Sequence, residues 1–570
     1  MRSIRPKLAG SWLLIAGFCT LWAGCEAPSG QTADLVLHNG KVVTVDAAVP
    51  DGEAVAVLDG RILAVGSNRE IEAYIGSDTE VIDLAGQLAI PGFIDSHVHF
   101  SGIGTAQLQL KLMEVANWDE VVQMVAAAVA AAEPGELIQG RGWHQEKWDR
   151  TPEPNVDGLP FHQTLDAVSP NNPVLLTHAS GHATYANGRA MEIAGIDRTT
   201  PDPQGGEIVR DSAGNPIGVF RERAGRLLEA ARTNASEPDP REVMELADQE
   251  VLSKGITSVH DAGVGFGTID LYKQMIDEGA LGVRMNAMIR LGNDELRARF
   301  PEYKTDNYGD HNLRVSTIKI SIDGALGPHG AWLLEPYEDL PSSSGLNTAP
   351  VPEVEEAARI AAELGLQLAV HAIGDRANQE SLNIFEKTFA AFPGNDDRRW
   401  RIEHSQHLSP SDIPRFGAMG VIPSMQGIHC TSDAPYVLER LGEERAEEGA
   451  YVWQKLMATG ATIPNGTDAP VEDVSALASY YATVSRVLAD GTVFFPDQRM
   501  SRMEALRSYT INGAYASFEE DIKGTLTPGK LADITVLSKD ILTIPEGEIP
   551  TTEVVYTIVG GEVKYGRGGE

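Results

Sequence analysis

The stretch AIPGFIDSHVHF, residues 89–100, constrains this chain more than any other. An apolar run closed by Pro91 and Gly92 leads into Phe93, Ile94 and Asp95, and the whole reads as a buried strand ending in His97 and His99. Because side chains alternate across a strand, both imidazoles project to one face. Two neutral imidazoles converging at a strand end form half of a site for a borderline cation such as zinc, and the other ligands must come from elsewhere. On its own the pair also fits two solvated loop histidines, so the remaining segments have to decide.

Eight segments read as strands ending in polar residues: 89–97, 256–260, 283–289, 315–322, 368–371, 401–404, 421–425 and 462–468. Helical stretches such as 353–364 and 503–516 separate them, which is the alternation of a (β/α)8 TIM-like barrel spanning 89–523. Functional residues of such a barrel gather at the carboxyl ends of its strands, where His97, His99, His371, His404 and Asp468 fall. The interval 102–253 is too long for a connection and is expected to form an inserted subdomain over the active face. It holds an alanine-rich helix over 118–133, a strand over 136–142 leading to Trp143, His144 and Trp148, and a strand over 174–178 leading to His182. Tryptophan and histidine at strand ends suggest a pocket wall, with Trp143 and His182 as substrate contacts, although Trp143 also reads as an ordinary core residue.

The two ends of the chain are rich in short alternating strands. Asn39-Gly40 and Asp59-Gly60 are hairpin dipeptides within 34–88, and 524–565 repeats the pattern with glycine turns. Neither half has enough strands to bury a core alone, so the two are expected to pair into one small β-sandwich domain. Residues 1–25 read as a targeting segment: Arg2, Arg5 and Lys7 precede an apolar run, and Ala23-Gly24-Cys25 resembles a bacterial lipobox, followed by a tether over 26–33. Leu21 stands one position too far from Cys25 for that pattern, so ordinary secretion stays open. Past Cys25 only Cys430 remains, and an exported chain must be held without disulfides. The 46 basic and 81 acidic residues leave a formal charge of -35, which disfavours nucleic acid and anionic membranes as partners. Such charge is usually solvated surface and does not by itself imply a cationic substrate.

Lys319 lies in VSTIKISIDGALG, where alternation puts it on one face with Ser321 and Asp323. A lysine in an apolar strand is costly unless neutralised or paired, and pairing with Asp323 is the plain alternative. His371 follows LQLAV and His404 follows Glu403, each ending a strand, while His407 and Asp375 look supporting. Asp468, in NGTDAP, ends the last strand, and its carboxylate can both bind metal and hold an attacking water as general base.

PGFIDSHVHF followed in order by Lys319, His371, His404 and Asp468 resembles the amidohydrolase superfamily of metal-dependent hydrolases over roughly residues 34 to 565. Within it the chain is similar to the branch that includes N-substituted formamide deformylase, down to GRGW and GHATYAN in the insertion. The resemblance implies a divalent metal, zinc first, as one or two ions held by His97, His99, Lys319, His371, His404 and Asp468, with Lys319 a candidate for N6-carboxylation to a bridging carbamate. His182 and His260 are the candidate donors to an oxyanion. The expected function is hydrolysis of a non-peptide amide-type bond in a small-molecule substrate, outside the cytoplasm, in a lipid-anchored or periplasmic protein. Ester, lactone or carbamate hydrolysis on the same site is one alternative, and a catalytically dead, surface-tethered binding lipoprotein is another. Any membrane contact is through Cys25, and a homodimer stays open.

Overall fold

The computed structural model describes residues 31–113, 115–232 and 238–568, so the leader, Cys25 and most of the tether lie outside the described residues. The eight expected strands form and run parallel: β1 Phe93–Val98, β2 Ile256–Val264, β3 Arg284–Ile289, β4 Leu313–Ser321, β5 Gln367–Ala372, β6 Arg401–His404, β7 Ile422–Gln426 and β8 Asn465–Gly466. Their near-continuous burial is what a parallel sheet covered on both faces requires. The helices between them bury one stripe each. Val351–Leu364, for example, covers the barrel with Val354, Ala357, Ala358 and Ala361 and stops at Gly365, whose φ of 61° is open to glycine without strain.

Closure is made at the short last strand. The Asp468 N–H donates to the His97 carbonyl at 2.8 Å, and the His99 N–H donates to the Ala469 carbonyl at 2.8 Å. Asp95 of β1 also accepts from the Thr467 N–H at 3.0 Å and from its hydroxyl at 2.6 Å. A Cβ at Gly466 would stand 2.7 Å from both an Asp95 carboxylate oxygen and the His97 nitrogen, so this seam needs glycine.

One expected strand divides. Leu88–Pro91 and Phe93–Val98 are separate, broken at Gly92, where a Cβ would meet the Thr257 hydroxyl at 2.1 Å. Leu88–Pro91 belongs to a five-stranded sheet, in the order Lys41–Val42, Leu88–Pro91, Ile534–Leu537, Val554–Val559, Glu562–Gly566. That sheet joins both ends of the chain and shares a core with a four-stranded sheet of N-terminal strands, through Leu35, Val57 and Ile62 on one side and Ile534 and Val536 on the other. The bidentate pair of Arg284 at the start of β3 with Asp533, at 2.8 and 3.1 Å, ties these sheets to the barrel.

The insertion has its own six-stranded sheet, in the order Gly206–Arg210, Pro216–Glu222, Ala183–Ala186, Val174–His178, Ile138–Trp143, Leu110–Lys111, with separate apolar clusters. Its expected end at 253 is too late. The helix Pro240–Ser253 buries Met244, Ala247 and Val251 in the barrel's core beside Phe100 and Ile103, because its apolar stripe faces the barrel.

Candidate metal centre

The strand ends converge on Asp468. His97 Nε2 lies 3.5 Å and His99 Nε2 3.3 Å from its Oδ1, and His429 Nε2 lies 3.2 Å from its Oδ2. The His404 ring lies between two neighbours, tilted to His97 with centroids 4.8 Å apart and edge-to-face with His371 at 4.4 Å. His97 and His404 and Asp468 are each at most 6% exposed. His404 and Asp468 hold φ of 76° and 58°, left-handed values that cost non-glycine residues about 1–3 kcal/mol and concentrate at functional sites.

Each inner side chain is locked from behind. Glu403 bridges His97 Nδ1 at 2.5 Å and Arg401 Nε at 2.7 Å, all three fully buried. Burial works against the Glu403 charge, but Arg401 and His97 hold its carboxyl well below the usual carboxylate range. Gln426 accepts from or orients His404 Nδ1 at 2.8 Å. With Nδ1 engaged in both rings, Nε2 is the atom each presents to the site. Burial, with the Lys319 charge second, pushes the His97 pKa down to about 4, and burial takes His371 and His404 well below 6.5, so all three are neutral imidazoles near neutrality. For Asp468 burial is again the largest influence and opposes ionisation, yet the His429 hydrogen bond at Oδ2 and His99 beside Oδ1 keep it ionised well below the usual range.

These residues fit a divalent cation. His97, His99 and Asp468 form one close group of the nitrogen and oxygen donors a divalent cation requires, and His404, His429 and Asp468 form another. In the second, burial opposes the His429 charge but hydrogen bonds to Asp468 and Glu472 push its pKa up to about 10, so near neutrality His429 donates to Asp468 and His404 is the free nitrogen. His371 Nε2 and Asp468 Oδ1 are buried without a hydrogen bond, and a bound cation would satisfy them. Lys319 is 2% exposed with its Nζ 3.5 Å from His97 Nε2, and burial pushes its pKa down to about 8. The alternative pairing with Asp323 does not form: Asp323 is taken by the N–H groups of Trp332, Ile373 and Gly374 at 2.9, 3.0 and 2.8 Å.

The centre opens into a cleft of about 850 Å³ lined by His99, Lys319, His371, His404 and Asp468 from the barrel and by His182 from the insertion. His182 Nδ1 lies 3.0 Å from Glu222, which ends the strand Pro216–Glu222. Burial lowers the His182 pKa, but the Glu222 bond and charge outweigh it and leave the imidazole more basic than usual.

Two expected substrate contacts are elsewhere. Trp143 is fully buried in the insertion's core, where its indole N–H donates to the Leu176 carbonyl at 2.9 Å and its ring packs on His178 and Tyr185. Its strand end faces that core and not the cleft, as the plain core reading allows. His260 is also fully buried: it points into the barrel beneath the centre, 2.9 Å from Arg401 Nη1, because β2 continues past it to Val264. The sequence reading missed His429, Glu403 and Glu222 as site residues. For His429 a signal existed, since QGIH directly follows the one predicted barrel strand of the later half that was assigned no ligand.

A closed parallel barrel with neutral histidines and a carboxylate at its carboxyl face is the architecture of a metal-dependent hydrolase. The chain belongs to the amidohydrolase family, whose pattern it matches over residues 80–565. It is 35% identical to the protein LONG AFTER FAR-RED 3 of Arabidopsis thaliana, over 94% of this chain and 92% of that one. It is 30% identical to the N-substituted formamide deformylase of Arthrobacter pascens, over 95% and 99%. Among solved structures, an uncharacterized metal-dependent hydrolase from Pyrococcus horikoshii OT3 superposes with a TM-score of 0.71 at 26% identity, covering 90% of this chain and 99% of the other.

Proposed function

We propose that this protein is an exported amidohydrolase that cleaves a non-peptide amide-type carbon–nitrogen bond of a small molecule. The observation that carries the reading is the convergence of His99 and the neutral His97 and His404 on an ionised Asp468 whose Oδ1 has no hydrogen bond. His97, His99 and Asp468 would hold one divalent ion, zinc by donor type, and His371 and His404 would serve a second if Lys319 is N6-carboxylated. With its pKa pushed down to about 8, Lys319 is free amine in about a tenth of molecules at pH 7, far more than an ordinary lysine, and the free amine is the form that adds carbon dioxide. When bound, such an ion polarises a carbonyl and makes water acidic enough to ionise near neutral pH.

The chain's own groups handle the protons. Asp468 takes the proton of the attacking water and returns it to the leaving nitrogen, while His429 and His99 hold the carboxylate in place. His182 stands on the facing wall of the cleft, and with Nδ1 held by Glu222 its Nε2–H is free to donate to the oxyanion. The formamide deformylase relative supports an amide as the bond cleaved. The leader and lipobox pattern of residues 1–25 supports export and a lipid anchor.

The test uses the purified chain loaded with zinc against N-substituted formamides, acetamides, esters and lactones, with elemental analysis in parallel. Metal bound and amides turned over is the expected result. Turnover of esters or lactones alone would move the assignment to that alternative, and absence of both metal and turnover would favour a binding lipoprotein. For the anchor, Cys25→Ser should shift the protein from the membrane fraction to the soluble exported fraction; an unchanged distribution rules the lipid out.

A further inference from the structure

The cleft carries cations that the hydrolytic chemistry does not use. Arg290 follows β3, and Arg223 and Arg226 come from the short turn Arg223–Leu228 after the insertion's strand Pro216–Glu222; all three line the same cleft as Asp468. None has a carboxylate partner among the described residues, and burial alone acts on the Arg290 guanidinium, lowering its pKa. That is unusual in a chain with 81 acidic against 46 basic residues. The neighbouring Arg221, for contrast, is paired with Glu207 at 2.9 Å.

Two of these guanidinium groups, those of Arg290 and Arg223, have a hydrogen-bond partner in the cleft. Arg290 Nη2 donates to the Ser321 hydroxyl at 3.0 Å, and its stem packs on Gly263, where a Cβ would stand 3.0 Å from the Arg290 Cδ. Gly263 has φ of 137°, so the chain keeps glycine there on both counts. Arg223 Nη2 donates to the Thr348 carbonyl at 3.1 Å across the cleft, and Gly205 leaves room for its stem. Glu222, just before it, holds φ of 51°, a strained backbone that sends one side chain to His182 and delivers the next to the cleft. The acids in the cleft do not answer this charge. Glu222 is engaged by His182, Asp323 by three backbone N–H groups, and Asp468 by histidines, which leaves Glu353 at the rim.

We propose that the substrate of this cleft is an amide that also carries a carboxylate, seated between Arg290 on the barrel side and Arg223 and Arg226 on the insertion side. The proposal rests on the hydrolase reading of the same site and names the class of molecule it takes. A guanidinium offers a planar fork of donors that matches a carboxylate, and a cation lacking an internal partner keeps that fork available. A cleft of about 850 Å³ is of the size that encloses a drug-sized ligand, so the carboxylate and the scissile amide fit as separate groups of one molecule.

The experiment measures calorimetric binding of N-acylglycines (acetyl, hexanoyl and benzoyl) and of their neutral glycinamide counterparts to the zinc-loaded protein, with turnover followed on the same compounds. In wild type at least one carboxylate should bind about tenfold or more tighter than its carboxamide, the range of a charge-assisted contact. In Arg290→Met, and separately in the double variant Arg223→Met/Arg226→Met, that ratio should fall to within about threefold. The second variant decides the matter if the first does not fold. Equal binding of the two series, no binding of either, or a ratio that survives both variants overturns the carboxylate site. A preserved ratio in wild type without turnover of any compound counts against the hydrolase reading and not against the site, whereas turnover of both series with no preference does the reverse.

Discussion

The floor of the cleft and its outer wall hold their polar groups in opposite ways. On the floor, His97, His404 and Asp468 are buried, each is fixed by a second buried group, and two sit on strained backbone. On the wall, His182 is a quarter exposed, Arg223 and Arg226 are exposed, and all three hang from a hairpin and a single turn of the insertion. The floor is built for fixed distances, as metal and proton chemistry need, and its pieces come from rigid parallel strands. The wall is built for recognition, with charge presented to solvent on segments that packing constrains less. Changes on the floor should therefore affect chemistry and metal, and changes on the wall should affect substrate preference and pH dependence.

Four substitutions test that division. The largest effect is expected for Asp468→Asn, which keeps a folded, metal-binding protein but loses at least about a hundredfold in turnover, since general base catalysis contributes about 10² to 10⁴. Steady-state kinetics with metal analysis decides it, and near-native turnover would remove Asp468 as the base. Next is Glu403→Gln, which releases His97 Nδ1 and leaves Arg401 without its carboxylate. Metal affinity should fall about 10- to 100-fold in a chelator competition, the usual cost of losing a group that orients a ligand.

Smaller effects are expected on the wall. Glu222 raises the His182 pKa, so the donating imidazolium is present at lower pH and is lost as pH rises through that raised value. Glu222→Gln removes the raising partner, which should move the alkaline limb of kcat/KM to lower pH and cost about tenfold at pH 8, with metal content unchanged. An unmoved limb would mean that His182 does not titrate in catalysis. The smallest effect is set by Asp119→Asn, which breaks the pair with Arg150 at 2.7 Å on the insertion's surface, where the side chains are 70% and 56% exposed. Stability by chemical denaturation should change by less than about 1 kcal/mol. A larger loss would show the insertion to be more tightly coupled than its exposed charges suggest.

Local pattern by itself determined the strands and what stands at their ends. Period and turn residues marked all eight barrel strands, the position of His97, His99, His371, His404 and Asp468 at the active face, and the need for the two chain ends to share one set of sheets. These are short-range properties: alternation, apolar runs and glycine turns act within a few residues. Tertiary structure alone decided which groups meet. Glu403 reaches His97 across 306 positions of sequence and His429 reaches Asp468 across 39, contacts made only when β8 closes on β1 and the helix after β7 folds over the strand ends. The same closure put His260 beneath the centre, left Lys319 without Asp323, and split the opening stretch at Gly92 between two sheets. No spacing in the chain encodes those outcomes, because barrel radius and packing set the distance between strand ends, and both are sums over the whole sequence.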